Sequence, residues 1–363
     1  MAVSLSSSFF VKSIDEVLNE LSREQKFKLV SKFWPHCGLL LERFHEDDYT
    51  AFIRYVGSEL SSLRQHRHKF AAETFDATIE LIQFLKDNRS KSLSSLIQIL
   101  NERFLNFDEK AIQRSLELSI RLGLTLNVNS PSVAVGSIFR HEDNFAWPAE
   151  TSLNGLIQNQ FPRTVLGGDT KALSRIDPAF TAAYLVNICR IKLHCTNNLS
   201  NHLEFDRKRR ILTIYQHKIC LLNHIKAEED TLIPKDILEE ALDTLILLFP
   251  FGDSSIKRLL ARNGQSVFYG LGNCNRNRSL NLARYEYWNE ELQDLIDAFN
   301  EPPRSWKQLL TDRRNMMDWA AFWIAVMVAV LTLVSIPCNI VQAVYSVKSY
   351  HISMMQANIT GQS

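Results

Sequence analysis

The sequence predicts a mainly α protein: a helical cytosolic region with one or two small β-hairpins, a possible winged-helix-like unit, and a C-terminal transmembrane helix. Three observations predict it. Turn-forming residues are scarce, with 12 Gly and 10 Pro among 363 residues, roughly half the usual share. Apolar residues recur at three- and four-residue spacing in segment after segment. One late segment, Trp319 to Val347, carries no Lys, Arg, Asp or Glu over 29 positions.

Composition narrows the classes further. At 45% hydrophobic and 22% charged, the chain has a globular mix and not a disordered one. Lys and Arg number 41 against 40 Asp and Glu, a net charge of +1, so no overall field draws it to nucleic acid. The cysteines Cys37, Cys189, Cys195, Cys220, Cys274 and Cys338 form no CxxC pair, which predicts a reduced, intracellular protein. The segment MAVSLSSSFFVKSIDE lacks a basic n-region and a long apolar core, so no secretory signal is expected.

The elements follow in order. Ser13 with Glu16, and Ser22 with Gln25, fit capping boxes, and apolar residues after each predict helices up to Pro35. Further helices are expected over Asp47–Leu63, Ala71–Lys86, Leu93–Phe104 and Asp108–Leu122, with Phe75, Ile79, Ile82 and Leu85 forming one stripe. Leu124–Val128 and Val133–Ile138 flank a turn at 129–132. Two helices and a hairpin outline a winged helix, but the second helix balances Lys110, Arg114 and Arg121 against Asp108, Glu109 and Glu117. A groove-reading face is net basic, so no nucleic-acid partner is expected. Next come a helix over Thr151–Gln160, a linker around Gly167 and Gly168, and a helix over Pro178–Cys189. A strand is expected at Ile191–Cys195, and a hairpin of His202–Phe205 with Ile211–Tyr215. Helices then resume, one starting at Pro234 with Ile237, Leu238, Ala241, Leu245 and Leu248 as its stripe, another over Tyr285–Phe299. The domains expected are 1–138, 139–312, the membrane segment with its flank at 313–347, and a short tail at 348–363.

The apolar segment dominates the functional reading. A bilayer core needs about 20 helical residues, and Trp319 to Ile336 is apolar throughout apart from Thr332 and Ser335. Arg304, Lys307, Arg313 and Arg314 precede it, whereas Lys348 and His351 follow. The positive-inside rule then places the large region in the cytosol, a tail-anchored, single-pass arrangement. Trp306, Trp319 and Trp323, with Arg313 and Arg314, mark the cytosolic interface, and Tyr345 or Tyr350 the far one. Ala321, Ala325 and Ala329 recur every four residues, a spacing that lets helices approach closely and predicts self-association. Asn358 and Thr360 form a glycosylation sequon in the tail.

Two other groups bear on chemistry. His217, Cys220 and His224 stand at spacings of three and four, which would align them on one helix face, although zinc usually takes ligands in close pairs. The expectation is therefore no metal and no cofactor. Arg207, Lys208, Arg209 and Arg210 form the densest basic run, at a turn tip suited to anionic headgroups. No P-loop, GxGxxG, GxSxG or HExxH occurs. The sequence thus predicts an interaction or scaffold protein anchored in a lipid bilayer and recruiting a protein partner. The alternatives are a membrane-active effector whose helix oligomerises and a membrane-tethered enzyme.

A motif series carries a resemblance. It comprises Trp147-Pro148, Phe161-Pro162, Cys195-Thr-Asn-Asn-Leu-Ser-Asn-His-Leu203, Tyr215-Gln-His-Lys-Ile-Cys220, Leu248-Phe-Pro250, Trp306-Lys-Gln-Leu309 and Asp312-Arg-Arg-Asn315, with Trp319, Phe322 and Trp323 beyond. Between Phe139 and Val344 the chain resembles a set of uncharacterised filamentous-fungal proteins. The resemblance implies a helical cytosolic region with one C-terminal transmembrane helix, and no known activity.

Overall fold

The computed structural model describes residues 21–63, 68–129, 145–164, 175–227, 231–301 and 316–360. The fold is mainly helical, with one small sheet. The chain forms two compact units, residues 1–301 and 302–363. The first capping box, Ser13 with Glu16, and the linker around Gly167 lie outside the described residues.

In the first unit the early helices are α1 (Arg23–Phe33), α2 (Glu46–Leu63), α3 (Phe75–Asp87), α4 (Leu93–Asn101) and α5 (Glu109–Leu124). Ser22 and Gln25 close the expected capping box on α1. Helix α3 begins at Phe75 and not at Ala71, because Thr74 caps it and Ala71 and Ala72 give their N–H groups to Ser115 Oγ at 2.9 and 3.0 Å.

Helix α5 is the axis of the unit. Ala111, Ile112 and every residue from Ser115 to Leu124 are buried. Glu117 and Arg121 therefore point inward, while Glu109 and Lys110 at its start stay exposed. Gly123 is needed there, since a Cβ would stand 3.3 Å from Ile82 Cδ1 on α3. Of the expected hairpin only the first arm falls among the described residues. Thr125 turns left-handed with φ 54°, and Val128 makes a parallel bridge to Phe145. Its second arm, Val133–Ile138, lies outside the described residues.

The middle of the chain adds α6 (Leu153–Gln160) and α7 (Ala182–Asn187). Strands β1 (Lys192–Thr196), β2 (Phe205–Asp206) and β3 (Ile211–Tyr215) form a sheet in the order β1-β3-β2. The expected hairpin is the antiparallel β2–β3 pair, with Phe205 opposite Leu212. Strand β1 lies parallel to β3, Lys192 opposite Ile211 through Thr196 opposite Tyr215. Then come α8 (Lys218–Lys226), α9 (Lys235–Leu248), α10 (Ser254–Arg262), α11 (Ser266–Gly270) and α12 (Asn289–Asn300). Pro234 caps α9 from just outside it.

Contacts cross the boundary expected after residue 138. Thr125 Oγ1 lies 2.8 Å from Tyr215 Oη, Leu199 N–H donates to the Thr125 carbonyl, and Cys37 Sγ–H donates to the Asn223 carbonyl at 2.9 Å.

The second unit contains α13, Met316–Thr360, 45 residues with Pro337 inside. Within its stretch Ala320–Met355 an 18-residue window reaches mean hydropathy 2.4, and none of that window is buried. Among the described residues this is the one helix long and apolar enough to cross a membrane. The expected tail is helical through Thr360, because no helix breaker intervenes before Gly361.

Candidate functional site

The motif segments Cys195–Leu203 and Tyr215–Cys220 meet in a buried polar core at the end of the sheet. Strand β1 ends at Thr196 and β3 at Tyr215, in register, so the residues after each strand come out side by side. Asn197 Oδ1 accepts from Gln216 Nε2 at 2.6 Å and pairs with His217 Nε2 at 2.8 Å. Gln216 Oε1 accepts from Gln265 Nε2 at 3.0 Å. Asn198 Oδ1 accepts from the Asn127 and Ser200 N–H groups, and its amide donates to Asn201 Oδ1.

His202 and His217 are each 1% exposed. The Tyr215 N–H donates to His202 Nδ1 at 3.3 Å. That bond leaves the proton on Nε2, which faces Thr244 Oγ1 at 2.7 Å, and Thr244 donates onward to the Ala241 carbonyl. The His217 ring lies among Phe52, Tyr55 and Tyr215, with centroids 5.5 to 6.1 Å away. Burial lowers both imidazoles to about 3, because a charged ring in an apolar surround loses its hydration. Both are neutral at ordinary pH. Burial likewise pushes the Cys220 thiol well up.

The spacing of His217, Cys220 and His224 does not put three ligands on one helix face. His217 stands before α8 as its cap, bonded to Asn197, and His224 packs edge-on against Trp34 at 5.4 Å. No group of three His, Cys, Asp or Glu arranged to hold a metal occurs among the described residues.

The basic turn is largely neutralised. Asp206 Oδ1 accepts from the Lys208 and Arg209 N–H groups at 2.9 Å, which shapes the turn. Arg207 reaches Asp294 and Asp297 on α12 at 2.9 and 3.3 Å. Arg209 lies 3.8 Å from Asp206. Arg210 pairs with Glu301 at 2.8 Å and donates to the Cys189 carbonyl. Three of the four charges expected to face headgroups thus have acidic partners brought in by the fold.

Glu240, next to the half-buried Glu239, is 7% exposed. Its carboxylate accepts from the N–H groups of Glu286, Tyr287 and Trp288 at 2.7 to 2.8 Å. Those groups lead into α12, where a carboxylate is favourable. Glu240→Gln is expected to cost about 1–2 kcal/mol, the worth of weakening charge-assisted bonds. That corresponds to a thermal midpoint lowered by roughly 2–5 °C. A midpoint unmoved in a melt of the detergent-solubilised chain would contradict the role given to Glu240.

One apolar recess lies beside this core, lined by Leu193, Cys195, Ile214, Phe249, Leu260 and Phe268 with amides of Gln216 and Gln265 at its edge. It has room for about one water molecule. Burial raises the Cys195 thiol, so the recess holds no activated nucleophile.

On α13, Ala321, Ala325 and Ala329 are exposed. Trp323 and Tyr345 are exposed at 43% and 68%. Trp306, Arg313 and Arg314 lie outside the described residues, as does the side chain of Trp319, whose backbone is helical. No family model matches the chain, and neither a curated protein nor a solved structure shows significant similarity to it.

Proposed function

We propose that the chain is a single-span membrane protein whose folded unit works as an interaction or scaffold module on the cytosolic side. The observation that carries the proposal is the bare apolar surface of Ala320–Met355, 36 residues with none of it buried. An apolar surface of that size is unstable in water and marks a membrane or partner contact. The orientation is supported by Arg304, Lys307, Arg313 and Arg314 on one flank against Lys348 on the other. A binding role is favoured over catalysis because His202 is held by Thr244 and the Tyr215 N–H, and His217 by Asn197, within the folded core. The resemblance to helical fungal membrane proteins supports the same topology.

Two measurements test it. Membranes carrying the chain are expected to retain it through alkaline carbonate extraction, and release into the supernatant would refute the anchor. Protease added outside sealed microsomes is expected to digest the folded unit. Protection of that unit would reverse the orientation. Exchange of 319–347 for an unrelated apolar helix separates a plain anchor, which preserves partner recruitment, from a membrane-active effector, which loses activity.

A further inference from the structure

On α13 two alanines, one valine and a run of polar residues follow an alternation of four and three. Ala321, Ala325, Val328, Thr332, Ser335, Asn339 and Gln342 succeed one another at that spacing, and the period runs on through Ser346, Ser349 and Ser353. On a helix such a set forms one narrow stripe with a period of 3.5. Val326, Val330, Leu333, Val334, Val341 and Val344 fall on the opposite face, with Pro337. Ala329 lies off the stripe, because steps of four alone drift around the helix. The alanine spacing noted in the sequence is thus only the near end of a longer seam.

The chemistry of the seam changes along its length. Thr332 Oγ1 donates to the Val328 carbonyl at 2.8 Å and Ser335 Oγ to the Thr332 carbonyl at 2.9 Å. These hydroxyls are satisfied within their own helix. The amides of Asn339 and Gln342 are exposed, and each offers two donors and an acceptor. From Trp323 to Tyr345 the helix rises about 33 Å, close to the thickness of a hydrocarbon core. Asn339 lies about 9 Å inside the Tyr345 level, where an unbonded amide costs several kcal/mol.

We infer that α13 pairs in parallel with a second copy of itself along this seam, an inference that rests on the single-span reading. Self-complementarity selects the occupant. Every copy enters the membrane with the same orientation, so a parallel pair sets Asn339 beside Asn339 and Gln342 beside Gln342 at equal depth. An amide is both donor and acceptor, so each matched pair bonds itself. The alanines at the near end let the two backbones approach closely, and the 3.5 period gives the left-handed crossing that keeps the seam in contact.

The test uses the full chain in native membranes with Cys338→Ser as background. Single cysteines are introduced by Ser335→Cys, Asn339→Cys, Gln342→Cys and Ser346→Cys, and on the other face by Val334→Cys, Val341→Cys and Val344→Cys. Oxidation is expected to link the first set into dimers above the Cys338→Ser background and to leave the second set monomeric. Equal yields on both faces, or a maximum on the valine face, would overturn the seam. In the Ser335→Cys chain, adding Asn339→Leu and Gln342→Leu keeps the helix apolar and is expected to weaken dimerisation roughly tenfold. An unchanged yield would again overturn it. Alkaline extraction of the same membranes separates the two levels. Release refutes the anchor and the pair together, whereas retention without face preference refutes the pair alone.

Discussion

Acidifying the protein from pH 7 to pH 5 is expected to remove about 4 kcal/mol of folding stability through two histidines. His202 and His217 titrate near 6.5 in an unfolded chain and at about 3 in the folded one. Between those values the unfolded chain binds protons that the folded chain does not. The stability is therefore fully present above about 6.5 and is lost as the pH falls toward 3. Each pH unit below 6.5 costs about 1.36 kcal/mol per histidine, or about 2 kcal/mol each at pH 5. Glu117, Glu240 and Glu291 oppose this, since burial raises their carboxyls and the folded state takes up their protons first. Variants isolate the histidine contribution. Urea midpoints of the detergent-solubilised chain at pH 7, 6 and 5 should fall less steeply in His202→Gln and in His217→Gln. Midpoints with the parent slope in both variants would refute the assignment.

Arg121→Ala is expected to destabilise the folded unit by about 3–5 kcal/mol, the cost of breaking a buried ion pair. Arg121 and Glu59 side chains are 2% and 5% exposed, with Nε and Oε2 3.0 Å apart. Arg121 Nη1 also donates to the Val128 carbonyl at 2.7 Å, and Tyr55 Oη donates to the Arg121 carbonyl at 2.9 Å. Truncation thus takes a buried charge from beside Glu59 and a donor from the Val128 carbonyl at once. The double variant Arg121→Met with Glu59→Leu removes both charges and should recover most of the loss. Pulse proteolysis in urea measures each. A single variant within about 1 kcal/mol of the parent would show that the pair carries little weight.

Local signals were readable in the sequence and distant pairings were not. The stripe Ile237, Leu238, Ala241, Leu245 and Leu248 is buried on α9 as its spacing implies. The turn after Asp206 folds as the β2–β3 hairpin. The long apolar helix α13 was legible because its composition marks it without reference to any distant residue. Burial of α5 was hidden, since Arg121 finds Glu59 62 positions away and a count of charges along one helix cannot see that. The basic turn misled for the same reason: its acids lie 87 to 91 positions later. Strand β1 pairs in parallel with β3, and no turn residue announces such a pairing. The polar seam of α13 was within reach, but a template of small residues every four positions follows a different line around the helix.

The ion pairs of the basic turn also determine how the folded unit bears load. Glu301 is its last residue, so with α13 held in a bilayer, as proposed, a tug along the chain enters the unit at the end of α12. The first attachments it meets are Arg210 on Glu301 and Arg207 on Asp294 and Asp297. Arg210 passes the pull to the Cys189 carbonyl and, through its place beside Ile211, to the sheet. The basic turn is thus a strain relief, spreading tension across three strands before it reaches the axis helix, and raised salt should slacken it.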